Sequence, residues 1–303
     1  RIIFAGLLAT SLYNFFSCLL RALGNSTVPL VFLAVSAILN IAWDLLFVAV
    51  FHWGIAGAAY ATIFAQYVSG IGILLYVLFR CRSLLPERKD LRFDGEILKE
   101  IAGLSSLTCL QQSVMNFGIL MVQGLVNSFG ATTMAAFAAA VKIDTFAYLP
   151  VQDFGNAYST FVAQNYGAGN KERIRRGTKE SFAISTAFSL VISALVFAFA
   201  APLMQIFVSS AETAVIASGV RYLRIEGAFY FGIGCLFLLY GYYRAIKRAE
   251  MSVVLTVISL GIRVLLAYVL SATFLGETGI WMAIPIGWIL ADLTGLLYMR
   301  KTW

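Results

Sequence analysis

Asn40 and Asp44 stand four residues apart in a stretch, 28–50, that is otherwise apolar, so on a helix they share one face. Thr62 and Gln66 repeat that spacing in the next apolar stretch, 55–79. If the two helices pack side by side, these residues make a compact oxygen cluster with one carboxylate. Hard cations such as Na⁺ take oxygen ligands of this kind. A lone carboxylate among apolar residues can equally take up a proton, because loss of hydration penalises the charged form. The plainer role is a local hydrogen bond from Asp44 to Asn40 or to the backbone near a helix end. The expectation is a cation-binding or coupling site of Asp44, Asn40, Thr62 and Gln66 for H⁺ or Na⁺, with Asn40, Asp44 and Thr62 as the Na⁺ ligands.

A second polar stripe lies farther on. Gln112, Asn116, Gln123 and Asn127 fall within about 60° on a helix of 3.6 residues per turn, with Gln111 beside them. Uncharged amides lining a cavity would suit a broad, amphipathic substrate; hydrogen-bonding glue between helices would use the same residues. Lys142, Asp144, Asp153 and Arg263 also fall in apolar stretches, where an ionisable group is costly and a candidate for function. Substrate-cavity candidates are therefore Gln111, Gln112, Asn116, Gln123, Lys142, Asp144, Asp153 and Arg263. Lys142 and Asp144 are two residues apart and do not share a helical face. Arg263 needs a carboxylate partner if it sits deep, and Glu226 and Asp292 are both available.

Catalytic chemistry finds no footing. The one histidine, His52, lies beside Trp53 in a connection, and no two carboxylates share a face. Cys18, Cys81, Cys109 and Cys235 lie far apart with no CxxC spacing, so neither a disulfide framework nor a metal site is indicated. An enzyme is not expected, nor any cofactor beyond the coupling ion.

The elements that must position these residues are legible from composition. Of 303 residues, 60% are hydrophobic and 12% charged, against about a quarter charged in a soluble domain. Mean hydropathy is +0.85. The apolar residues come in blocks of about 20, long enough to cross a ~30 Å hydrocarbon layer as helices. Nine spans are expected, near 2–22, 28–50, 55–79, 103–127, 132–152, 181–204, 213–240, 252–273 and 279–299. The fold class is an all-α, polytopic membrane protein. The net charge of +7 does not indicate nucleic acid, because the cations sit in short connections between spans.

Those cations alternate. Arg21, then Arg80 to Lys99, then Lys171 to Lys179, then Arg244 to Arg248, and finally Arg300 and Lys301 mark one family of connections. The others, such as 52–54 and 276–279, are nearly bare. This is the positive-inside pattern, placing the basic loops and the C-terminus in the cytoplasm of a multi-pass plasma-membrane protein. With that orientation Arg1 lies outside, which implies an odd number of preceding spans.

An internal repeat sharpens the count. Arg21-Ala22-Leu23-Gly24-Asn25 precedes a span as Arg244-Ala245-Ile246-Lys247-Arg248 does, 223 residues later, and Gly57 and Gly279 stand 222 apart. Such symmetry marks transporters built from repeated helical bundles. The chain then divides into 1–80, the second half of an N-terminal lobe with three helices; 81–100, a cytoplasmic linker; and 101–303, a C-terminal lobe with six. Nine of an expected twelve helices are present. Residues 93–101 read as a short interfacial helix. By the repeat, Asn40, Asp44, Thr62 and Gln66 correspond to Arg263, Ala267, Ile284 and Trp288, so the oxygen cluster belongs to the first lobe alone.

The stretches Arg21 to Pro29, Leu39-Asn40-Ile41, Gly54 to Thr62 and Gln164 to Asn170 resemble the multidrug and toxic compound extrusion (MATE) transporters. The resemblance covers the whole chain as helices 4 to 12 of twelve. It implies export of small amphipathic, often cationic, organic compounds by alternating access, driven by inward H⁺ or Na⁺, from a monomer in the bilayer. Asn40, Asp44 and Thr62 match the cation-site pattern of the DinF-like branch, whose further aspartate on the first helix has no counterpart here. Gln111 and Gln112 stand where the NorM-like branch places a glutamate. The runner-up is a lipid-linked oligosaccharide flippase of the same superfamily, which would need more cations in its cavity than Lys142, Arg221, Arg224 and Arg263 supply.

Overall fold

The computed structural model describes residues 2–82 and 93–302. Arg88, Lys89 and Arg92 of the basic connection lie outside the described residues. The chain forms two compact units, Arg1–Asp94 and Gly95–Trp303. The first contains α1 (Ile2–Ala5), α2 (Leu7–Ala22), α3 (Thr27–Asp44) and α4 (Gly54–Arg80), with a π-helical turn, Leu45–Val50, after α3. The second contains α5 (Gly95–Asn127), α6 (Ala131–Gly167), α7 (Lys171–Gln205), α8 (Thr213–Gly227) and α9 (Tyr230–Ala245). It continues with α10 (Ala249–Thr256), a π-helical turn Val257–Gly261, α11 (Ile262–Ser271) and α12 (Glu277–Thr302).

Among the described residues, eight helical segments are long and apolar enough to cross a bilayer. A ninth span is the pair α8 and α9, bent by 51° at Ala228–Phe229. The protein is a polytopic helical membrane protein, as composition requires. One boundary differs from the sequence expectation. Residues 95–101 are not a separate interfacial helix but the first turns of the continuous α5. The fifth span runs through Pro150 to Gly167, because its bundle neighbours hold the helix together across the proline.

The repeat is visible in the backbone. Gly24 adopts φ +86° and Lys247 φ +61°, and each reverses the chain between two spans. The closing bonds correspond: Asn25 N donates to Leu20 O, and Arg248 N to Tyr243 O, both at 2.9 Å. Glycine has no steric penalty at positive φ, whereas Lys247 bears one. Gly54 and Gly276, also 222 apart, take φ +57° and +52°. Beyond them, a Cβ on Gly57 would meet Phe47 Cβ at 3.1 Å, and one on Gly279 would meet Leu270 Cβ at 2.8 Å. The same turn chemistry is used twice.

In the first unit α4 packs against both α2 and α3, sealed by Leu20, Ile73 and Val77. Tyr13 donates to Pro29 O at 2.9 Å, and Ser36 to Ala65 O at 2.7 Å. In the second unit α9 is the central helix: every residue from Leu236 to Tyr243 is buried, so it is apolar all round rather than on one stripe. Its closest neighbour is α6. A Cβ on Gly155 would stand 2.9 Å from Phe237 O, and one on Gly241 2.6 Å from Gly155 O. Gly155→Ala is therefore expected to lower stability by about 1–3 kcal/mol through forced separation of α6 and α9. Thermal unfolding in detergent measures it; an unchanged midpoint would show that this crossing yields freely.

Near the bare connections, Phe137 stacks on Trp281 with centroids 5.5 Å apart, and Tyr222 meets Trp281 edge-on at 4.9 Å. Glu277, in the first turn of α12, accepts from Thr133 at 2.8 Å and from Ser218 at 3.1 Å and pairs with Arg221 at 3.4 Å. One carboxylate thus ties together the ends of α6, α8 and α12.

Candidate coupling sites

The most concentrated polar group is buried in the second unit. Asp144 projects from α6, and Tyr222 and Glu226 from α8, where their i,i+4 spacing aligns them. Tyr230 opens α9 directly after the bend, and Arg263 lies two residues past the Val257–Gly261 π-turn. Asp144 is 4% exposed and Glu226 6%. Tyr230 donates its hydroxyl to Asp144 Oδ1. The Tyr222 hydroxyl and the two carboxyl groups lie close enough to influence one another electrostatically. The Arg263 guanidinium interacts electrostatically with both.

Charge counting shows what this arrangement can do. Two carboxylates and one guanidinium leave one net negative charge in an apolar bundle, and a buried unbalanced charge is expensive. Asp144 Oδ2 and Glu226 Oε2 are buried without hydrogen-bond partners. One proton, or one Na⁺ held by those oxygens and the two phenol oxygens, would balance the group. Both local irregularities serve it. The α8–α9 bend brings Glu226 and Tyr230 to one side, and π-turns recur at functional positions because they re-aim the residues beyond them.

Among the described residues Arg263 makes no direct ion pair; it acts on Glu226 and Asp144 at longer range, and its Nε is buried without a hydrogen-bond partner. Asp292 is engaged elsewhere, on α12, with the Cys235 thiol of α9. Sequence reasoning missed that Asp144 and Glu226 form a pair, because they lie on different helices. Lys142 and Asp144 do face opposite ways. Lys142 is exposed, with its Nζ 5.8 Å from the Phe207 ring centre, and lines a recess with Ser209 and Glu212. Asp153 is exposed on α6. On α5 the stripe Gln112, Asn116, Gln123 and Asn127 is exposed along one face, whereas Gln111 turns into the bundle and is 5% exposed.

In the first unit Asn40 and Asp44 occupy the last turns of α3, directly before the π-turn at Leu45, and Thr62 and Gln66 lie on the neighbouring α4. The Ser36–Ala65 hydrogen bond and the Phe47–Gly57 approach bracket the interface. This antiparallel register sets Asn40 level with Thr62, and Asp44 one turn farther along, near Ala59. Thr62 Oγ1 donates to Ala58 O at 2.9 Å, which leaves its lone pairs free to accept. Asn40 Nδ2, Asp44 Oδ1 and Gln66 Oε1 are buried without hydrogen-bond partners. Gln66 Oε1 lies against Gly6, the break between α1 and α2, so a third segment borders this cluster.

Comparison with known proteins gives the family. The profile of the MatE family matches residues 107–269, more than half of the chain. This chain belongs to the MatE family. "Probable multidrug resistance protein YpnP" of Bacillus subtilis is 33% identical over 303 residues, covering 99% of this chain and 66% of its own length. "Probable multidrug resistance protein NorM" of Thermotoga maritima is 27% identical, covering 98% and 65%. The chain spans about two thirds of the length of these curated relatives. Among solved structures, "Outward-facing conformation of a multidrug resistance MATE family transporter of the MOP superfamily" superposes with a TM-score of 0.93 at 25% identity, covering 100% of this chain and 68% of that one. The MatE relatives are transporters rather than enzymes, in line with a sequence that offers no catalytic constellation.

Proposed function

We propose that this protein is a cation-coupled multidrug efflux transporter, an antiporter that exchanges inward H⁺ or Na⁺ for outward movement of small amphipathic organic compounds by alternating access. The observation that carries this reading is the buried Asp144–Glu226–Arg263 group, whose single surplus negative charge suits one monovalent cation. The orphaned Asp44 Oδ1, one turn from Asn40 on α3, supports a second cation position in the first unit. The exposed amides Gln112, Asn116 and Gln123 supply a permissive lining for substrate. Basic connections and the C-terminus face the cytoplasm of the plasma membrane in this reading.

The flippase reading is disfavoured by how the cations are used. Arg263 acts electrostatically on two carboxyls, Arg221 pairs with Glu277, and the Arg224 guanidinium carbon lies 5.3 Å from the centre of the Phe197 ring. Lys142 likewise lies over an aromatic ring, 5.8 Å from the centre of Phe207.

The test uses the protein in proteoliposomes, with ethidium as the probe and an imposed H⁺ or Na⁺ gradient as the drive. One gradient, not both, is expected to accelerate efflux. Asp44→Asn is expected to slow that driven efflux about tenfold or more, because the amide keeps the shape but cannot carry the charge. An Asp44→Asn protein that retains more than half the driven rate takes Asp44 out of the coupling site.

A further inference from the structure

Trp281 is fully buried, and its Nε1 has no hydrogen-bond partner among the described residues. An indole N–H taken out of water without an acceptor is a standing cost that phenylalanine or leucine at the same place would not carry. What the indole does there is set by its two neighbours. Phe137 of α6 stacks on it with the ring planes 9° apart, and Tyr222 of α8 meets it edge-on, at 88°. Phe137 and Tyr222 also meet edge-on, with centroids 5.6 Å apart. Each ring touches the other two, so Tyr222 is held from two sides.

One turn nearer the bare connections lies a polar layer. Thr133, Ser218 and Glu277 stand four residues before Phe137, Tyr222 and Trp281, so each polar residue shares a helix face with its ring. Thr133 and Ser218 donate to the same atom, Glu277 Oε2, at 2.8 and 3.1 Å. This clasp fixes the rotation of α6, α8 and α12 about their axes and turns the three rings toward one another. On the other side of the rings lie the carboxyls. Glu226 is four residues past Tyr222, and Asp144 is seven past Phe137, again on the same helix faces. Tyr222 joins the two levels: its ring completes the triangle, and its hydroxyl lies close enough to both carboxyls to sense their charge.

We propose that Trp281 is a positioning residue of the coupling site: with Phe137 it locks the Tyr222 ring and so keeps the phenol oxygen beside the Asp144–Glu226 pair, where a bound H⁺ or Na⁺ meets it. Trp281 itself does not touch the cation. Packing removes the rotamer freedom of the phenol when the protein folds, so that freedom is not lost again when the cation binds. A smaller apolar residue would avoid the orphaned N–H but leave the Tyr222 ring free to turn. The assignment rests on reading the carboxyl pair as the coupling site.

A double-variant comparison tests it, in proteoliposomes with ethidium. The quantity read is the H⁺ or Na⁺ concentration that half-saturates driven efflux. Tyr222→Phe and Trp281→Ala are each expected to raise it about tenfold, more than they change the rate at saturating cation. In the Tyr222→Phe/Trp281→Ala protein the rise is expected to stay near about tenfold, because the indole acts only through the phenol oxygen. Trp281→Phe, which keeps a ring against Tyr222, is expected to return most of the unmodified value. A role in packing alone would lower the thermal midpoint in detergent and leave half-saturation where it was, which overturns the proposal. A double variant shifted by about a hundredfold, the product of two independent effects, overturns it as well. If Trp281→Ala does not reach the membrane, Phe137→Leu takes its place in the same comparison. Full coupling in Asp144→Asn would instead overturn the reading of the carboxyl pair, whereas lost coupling there with independent shifts at Trp281 and Tyr222 overturns the positioning role alone.

Discussion

Replacing Asp144 by Asn is expected to abolish coupled transport while leaving a folded protein. The amide has nearly the volume of the carboxyl group and keeps an oxygen to accept the Tyr230 hydroxyl. What changes is the charge. With Asp144 neutral, Glu226 and Arg263 balance each other, and the surplus negative charge that would attract a proton or Na⁺ is gone. Gradient-driven ethidium efflux should then fall by about two orders of magnitude, the scale on which a positioned proton-transfer group acts. Ethidium binding should stay within a few-fold and the thermal midpoint should hardly move, because no buried group loses its partner. Efflux above half the unmodified rate, under either an H⁺ or a Na⁺ gradient, would remove Asp144 from the mechanism.

The sequence made the scaffold legible because the membrane imposes one-dimensional rules. A span needs about 20 apolar residues in a row, so its existence is written locally. The repeat was legible for a similar reason: Gly24 and Lys247, like Gly54 and Gly276, mark turns whose chemistry recurs at a fixed offset. The interior of the second unit was not. Asp144 and Glu226 meet only because α6 and α8 present particular faces to each other, and helix rotation about its axis is set by packing, not by local sequence. Span ends were blurred for the same reason. The polar start of α5 reads as an interfacial segment until the continuous helix Gly95–Asn127 is seen.

The repeat also changes meaning once the structure is known. Its sequence form assigned Arg263 as the counterpart of Asn40 and gave the oxygen cluster to the first unit alone. Arg263 is instead a member of the buried group in the second unit. Both units therefore place a polar residue at the same repeat position, Asn40 five residues before the π-turn of its hairpin and Arg263 two residues after it. In the first unit the companions are Asp44, Thr62 and Gln66, all from that hairpin. In the second they come from α6, which has no counterpart among residues 2–82, and from α8, whose end holding Glu226 matches α1 at the repeat offset. One scaffold position has been joined to two different sets of neighbours.

That use of Arg263 gives the most severe expected loss of stability. Arg263→Met keeps most of the side-chain volume but removes the cation, leaving Asp144 and Glu226 as two neighbouring carboxyls in an apolar bundle. Removing the cation that offsets two buried carboxyls leaves their charge uncompensated, at a cost of about 3–5 kcal/mol. Thermal or denaturant unfolding in detergent should show that loss, or the protein should fail to reach the membrane. Adding Glu226→Gln to Arg263→Met removes the stranded charge and is expected to restore more than half of the lost stability, a coupling that independent sites do not show. Additive losses in the double variant would mean that Arg263 stabilises the bundle through packing of its aliphatic stem. Restoration of stability without restoration of driven efflux would instead separate the two roles of the group: one guanidinium keeps two carboxyls inside the membrane, and the carboxyls, so kept, are what a cation can bind.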